Sequence, residues 1–97
     1  SWIMAGPYSE QNQAFGSACH GAGRALSRTA ARKKINAEAN ELKLRKKGVI
    51  VKAATKNILS EEAPEAYKDV DAVIENTVKA NLARPVVRLE PMAVIKG

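Results

Sequence analysis

The sequence predicts an α+β fold, a small mixed or antiparallel sheet covered on one face by about three helices. Three observations carry that prediction. Short runs of branched and aromatic residues stand at 1–4, 49–52, 84–89 and 92–95, flanked or interrupted by Gly and Pro. Between them lie three stretches with helical spacing or strong helix formers. Apolar residues make up 45% of 97, ordinary for a folded chain, with no repeat or low-complexity tract, so the whole chain reads as one piece without an internal boundary.

Taken in order, residues 1–4 mix Trp2 and Ile3 before Ala5-Gly6-Pro7, a short strand running into a turn. Residues 21–34 have few helix breakers after Gly23, and Ala22, Leu26, Ala30 and Ala31 fall at helical spacing, which predicts the first helix. Asn36 is a fitting N-cap for a second helix over 37–47, and Gly48 supplies the left-handed residue that often follows a helix end. Arg45, Lys46 and Lys47 complement the negative end of that helix dipole. Residues 49–52 read as a strand and 55–60 as an irregular connection. Residues 61–68 read as a loop or one helical turn, because Pro64 disfavours helix at Ala63 but suits a first helical position. Asp69 can cap a third helix in which Val70, Val73, Ile74, Thr77 and Val78 form one stripe, with Asn81 at its end. Pro85 and Pro91 each remove a ladder donor, so 84–89 and 92–95 are edge or interrupted strands.

Composition narrows the function classes. Aromatic residues are only Trp2, Tyr8, Phe15 and Tyr67, so the core must come from Val, Ile, Leu and Ala, and a chain of this size alone is modestly stable. A net charge of +6 biases it toward polyanions such as RNA, nucleotides or acidic proteins. The charge is uneven, with eleven basic and two acidic residues over 24–56 against six acidic and one basic over 61–75. A solvated helix face beside an ordinary acidic loop gives the same pattern. One cysteine cannot form an internal disulfide, no apolar run approaches the roughly 20 residues of a membrane span, and no signal-peptide pattern opens the chain. A reducing, cytoplasmic setting without membrane attachment is the expectation.

His20 is the single histidine, and it stands immediately before Gly21-Ala22-Gly23-Arg24 at the mouth of the predicted helix. A helix start offers unpaired N–H groups, glycines let a phosphate approach the backbone, and Arg24 and Arg28 recur one helical turn apart. A neutral imidazole there can attack phosphorus and form a phosphoramidate. The same residues also describe a partly buried histidine at a helix cap, with glycines that merely turn the chain. Neither a full G-x-G-x-x-G nor a Walker loop is present. Cys19 lacks a second Cys or His to build a metal or thiol site and reads as a small buried side chain. Glu61, Glu62 and Glu65 are a conceivable cation site but read as solvated, so no metal ligand is assigned. Tyr67 can stack on a base or simply pack its ring, and Lys96 can reach a ligand or simply face solvent.

Three separated segments shift that balance. They are Phe15-Gly16-Ser17-Ala18-Cys19-His20-Gly21-Ala22-Gly23-Arg24-Ala25-Leu26-Ser27-Arg28, then Glu61-Glu62-Ala63-Pro64-Glu65-Ala66-Tyr67-Lys68-Asp69-Val70-Asp71, then Val94-Ile95-Lys96-Gly97. In this order and spacing they resemble the carboxy-terminal part of the RtcB family of RNA-splicing ligases, over residues 1–97. The resemblance implies the RtcB-like fold and an enzyme that joins RNA 3′-phosphate or 2′,3′-cyclic phosphate ends to 5′-hydroxyl ends. It implies GTP and Mn²⁺ as cofactors, with tRNA halves or other broken RNA as substrate. His20 would accept guanylate, Gly21, Ala22, Gly23, Tyr67 and Lys96 would contact the nucleotide, and Arg24 and Arg28 would hold RNA or nucleotide phosphates.

The departure from the family is length, since the Mn²⁺ ligands of these ligases, a cysteine, histidines and an aspartate, lie upstream of anything in this chain. The expectation is a ligase segment that carries the nucleophile and is inactive alone. The alternative is a stand-alone, non-catalytic basic module that self-associates or binds nucleotide or RNA.

Overall fold

Each strand of this protein pairs with one far along the chain, and the two pairings organise two units. The computed structural model describes residues 1–7 and 13–97; Tyr8, counted above among the aromatics, lies outside them. Unit 1 combines Ser1–Gly23 with Lys68–Glu90, and unit 2 combines Arg24–Tyr67 with Pro91–Gly97. The α+β class holds: among the described residues there are four α-helices, one 3-10 turn and two two-stranded sheets.

In unit 1, strand β1 (Trp2–Ala5) runs antiparallel to β3 (Arg84–Arg88), pairing Trp2 with Arg88 and Ile3 with Val87. The register then slips, so that Met4 faces Pro85. Pro85 has no N–H to give the ladder, and a bulge at this point is how an interrupted strand absorbs that loss. Helix α4 (Val70–Lys79) packs against β3. The Asp69 carboxylate caps it by accepting from the Asp71 N–H at 2.9 Å, satisfying one of the free donors of the first turn. Asn81, at φ 55°, turns the chain away after the helix. The predicted stripe is partly covered: Val70, Val73 and Ile74 are half-buried, Thr77 is buried, and Val78 is exposed.

Unit 2 holds the hydrophobic core. Val49, Val51 and Leu59 are buried together, with Ala37, Leu44, Ala53 and Val94 packed around them. Strand β2 (Ile50–Ala53) runs parallel to β4 (Ala93–Lys96), with Val51 opposite Val94. Side chains alternate across a strand, so Val51 and Val94 turn inward while Ile50 and Ile95 stand exposed. Helix α2 (Ala37–Lys46) begins where Asn36 accepts from the Ala39 N–H at 2.9 Å and ends before Gly48, at φ 78°, as its sequence predicts.

Two expectations are corrected. Residues 21–27 are not helical: helix α1 is only Arg28–Lys34, capped by the Ser27 hydroxyl, which accepts from the Ala30 N–H at 3.1 Å. The physical reason is competition, because the Ala25 and Leu26 N–H groups donate to the Ala66 carbonyl and Arg24 bridges Tyr67 in an extended pairing. Gly23, at φ 73°, turns the chain just before it. Residues 55–60, expected to be irregular, contain helix α3 (Lys56–Glu61). Its cap residue Thr55 makes no side-chain hydrogen bond, so the helix is held by burial of Leu59 against α2 and β2. Covering a leucine side chain in this way contributes about 2 kcal/mol. The Pro64–Ala66 segment is the single turn anticipated, a 3-10 turn with proline at its first position.

Candidate functional site

The residues around His20 line a cleft of about 390 Å³ in unit 1. Its walls are Cys19, His20, Gly21 and Ala22 on one side, Ser1, Trp2 and Met4 of the β1 region on another, and Val70, Val73 and Ile74 of α4. Each wall has a cause in the sequence. The α4 stripe supplies the apolar floor that Val70, Val73 and Ile74 form. The Trp2 indole N–H donates to Asp71 Oδ1 at 2.9 Å, while Arg88 approaches Asp71 Oδ2 at 3.4 Å, which ties β1, β3 and the start of α4 together. His20 itself is exposed, in irregular backbone. A Cβ added at Gly21 or Gly23 would meet nothing within 4 Å, so the backbone next to His20 in the chain is open.

This placement changes the chemistry expected of the loop. His20 does not stand at a helix mouth, since α1 starts eight residues later at Arg28. The helix-dipole contribution drops out, and what remains is an accessible imidazole beside glycines and an apolar wall. Cys19, expected to be buried, is exposed, and its thiol donates to the Gly21 carbonyl at 2.7 Å. The irregular loop has no core of its own in which to hide a small side chain.

Unit 2 holds Arg24, Arg28, Tyr67 and Lys96. Arg24 and Tyr67 are brought together directly: Arg24 Nη1 donates to the Tyr67 hydroxyl at 3.1 Å, and the guanidinium carbon lies 4.8 Å from the ring centroid. Glu62 completes the group, accepting from the Tyr67 hydroxyl and from Arg24 Nη1 at 3.3 Å. Arg24 also donates from Nε to the Leu26 carbonyl at 2.9 Å and from Nη2 to the Glu61 carbonyl. Most of its five N–H groups are thus committed within the protein. Arg28 is freer: it is well exposed and meets Glu61 only at 3.7 Å, a carboxylate it shares with Arg32 at 3.3 Å.

The carboxylates of the acidic segment are each met by a cation within the protein, with Glu65 remaining exposed. Glu61 pairs with Arg28 and Arg32, Glu62 with Arg24, and Glu65 with Lys43 at 2.8 Å. The Tyr67 hydroxyl, more than any other neighbour, holds the Glu62 carboxyl below its ordinary value; burial opposes this, and the charges of Arg24, Lys96 and Arg28 reinforce it. The same contact, with burial and the Glu62 charge, pushes the Tyr67 phenol up. Lys96, half-buried on β4, thus joins the group through its field on Glu62. Glu62, weighed in the sequence only as part of a conceivable cation site, had no assigned role. The signal that pointed to it was the charge asymmetry, because an acidic segment following a basic one invites pairing.

Among the described residues, no group of three or more His, Cys, Asp and Glu side chains could hold a metal ion. The Mn²⁺ that the resemblance implies finds no donor set among them. No helix among the described residues is long and apolar enough to cross a membrane.

Comparison with known proteins gives a consistent answer along the whole chain. A family model described as tRNA-splicing ligase RtcB matches residues 1–97. The tRNA-splicing ligase RtcB of Methanopyrus kandleri is 45% identical over 97 residues, all of this chain and 10% of that protein. That of Pyrobaculum aerophilum is 44% identical, with 20% of its length covered, and the RNA-splicing ligase RtcB of Mycobacterium bovis is 46% identical, with 22% covered. The chain spans between a tenth and about a fifth of the length of these relatives.

Proposed function

The chain belongs to the tRNA-splicing ligase RtcB family, and from that premise we propose that it is the segment of an RNA ligase that carries the guanylate-accepting histidine, His20. The observation that carries this reading is an exposed imidazole on a cleft with open glycine backbone beside it, in a chain that matches the family from end to end. A ring nitrogen of His20 attacks the α-phosphorus of GTP, the N–P bond forms as the bond to pyrophosphate breaks, and the ring loses its proton to solvent. The guanylate then moves to an RNA 3′-phosphate, which regenerates the imidazole. Attack by a 5′-hydroxyl on the activated 3′-phosphate expels GMP and seals the strand. A 2′,3′-cyclic phosphate enters once water has opened it to the 3′-phosphate.

Gly21, Ala22 and Gly23 line the guanylate's path, and Tyr67 and Lys96 contact the nucleotide. Arg28 suits a phosphate better than Arg24 does. Its long, exposed ion pair with Glu61 is weak and readily exchanged, whereas Arg24 is held by four hydrogen bonds. Mn²⁺ would neutralise phosphate charge when bound, with ligands from the preceding part of a full-length ligase. The net charge of +6 suits an RNA partner, and the single cysteine suits the cytoplasm.

The test is RNA joining by the full-length enzyme with one RNA ending in a cyclic phosphate and another beginning with a 5′-hydroxyl. His20→Ala should abolish joining while leaving RNA binding in place. Joining at wild-type rate by His20→Ala would remove His20 from the chemistry.

A further inference from the structure

Tyr67 and Arg24, two of the residues to which the family resemblance gives ligand roles, are both held by a third, Glu62, to which it gives none. The Glu62 carboxylate accepts from the Tyr67 hydroxyl through one oxygen and from Arg24 Nη1 through the other, at 3.3 Å, and Arg24 Nη1 closes the ring by donating to the Tyr67 oxygen at 3.1 Å. The contact is sheltered, since both side chains of the Arg24–Glu62 pair are only 23% exposed. Charge-assisted hydrogen bonds of this kind are about twice as strong as neutral ones, and they fix orientation as well as energy. Without Glu62 the Tyr67 phenol loses its acceptor and the Arg24 guanidinium loses its counter-charge. Nothing else in the group replaces either, because Glu61 contributes only its carbonyl to Arg24 and spends its carboxylate on Arg28 and Arg32.

We propose that Glu62 is a positioning residue for the guanine nucleotide, fixing the Tyr67 phenol and the Arg24 guanidinium in the arrangement that the nucleotide meets. This rests on the reading that Tyr67 contacts the nucleotide. It also assigns Arg24 a different task from Arg28: Arg24, neutralised by Glu62, holds the tyrosine, and phosphate charge is met by Arg28. The raised Tyr67 and lowered Glu62 titrations are consistent with one shared hydrogen bond between them.

The experiment measures GTP binding by equilibrium dialysis, and the GTP dependence of His20 labelling, in the full-length enzyme and its variants. Glu62→Ala should weaken GTP binding about tenfold, the range expected for loss of a hydrogen bond to a charged group, and should raise KM for GTP more than it lowers the rate at saturation. Glu62→Gln should recover part of the affinity, because its amide oxygen still accepts from Tyr67 but no longer neutralises Arg24. Tyr67→Phe should weaken binding similarly, and the Glu62→Ala, Tyr67→Phe double variant should bind no worse than either single variant. A purely structural Glu62 would lower the melting temperature while KM stayed at the wild-type value. Equal GTP affinity of Glu62→Ala and wild type, or additive losses in the double variant, would overturn the proposal. The two readings separate cleanly. Weakened GTP binding by Glu62→Ala in an enzyme whose His20 takes no label keeps this proposal and sinks the nucleophile.

Discussion

At the scale of single residues, the contacts of Glu62 make stability depend on pH at both ends of the range. Its folded carboxyl lies below the ordinary 4.5, so the stabilisation it contributes is present above that value and fades as pH falls through the folded one. The Tyr67 phenol lies above its ordinary 10.0, so its share of the same contact is present below that value and is lost as pH rises through the folded one. Urea unfolding should therefore show wild type more stable than Glu62→Gln above about pH 5, with the gap closing in more acidic and in strongly alkaline solution. A gap independent of pH would mean that the carboxylate charge is not what Tyr67 and Arg24 sense. The sequence made the types of these residues visible, but not their partners. Arg24 and Arg28 stand four positions apart, one turn of a helix, but the pairing of 24–26 with Ala66 and Tyr67 turns Arg24 toward Glu62.

At the scale of elements, legibility followed the strength of local signals. Helices α2 and α4 were readable because their caps, Asn36 and Asp69, use side-chain oxygens on backbone N–H groups close by. The strand interruption at Pro85 was readable because a missing N–H is a property of the residue itself. The false helix over 21–27 and the missed helix α3 share the opposite cause. In both, long-range contacts outweigh local propensity, through the Ala66 carbonyl in one case and the core around Val49 and Val51 in the other. Helix α3 should accordingly depend on Leu59, its one buried apolar side chain. Leu59→Ala should destabilise unit 2 by about 3 kcal/mol, seen as a lower urea midpoint and faster amide exchange in α3 and β2. A loss below about 0.5 kcal/mol would show that α3 stands without this contact.

At the scale of the whole molecule, the chain matches a tenth to about a fifth of the length of its RtcB relatives. Among the described residues, Ile3 and Val87 of unit 1 and Ile50, Met92 and Ile95 of unit 2 are exposed, and no three metal donors gather. His20 lies in unit 1 and the Glu62 group in unit 2. The central claim is that His20 becomes covalently guanylated, and the most direct measurement incubates radiolabelled GTP and Mn²⁺ with the full-length enzyme and with this 97-residue chain, followed by denaturing electrophoresis and acid or alkali treatment. The account predicts label on the full-length enzyme that is lost in acid, persists in alkali and is absent from His20→Ala, with no label on the isolated chain. Label that survives His20→Ala, or a bond stable in acid, would contradict it.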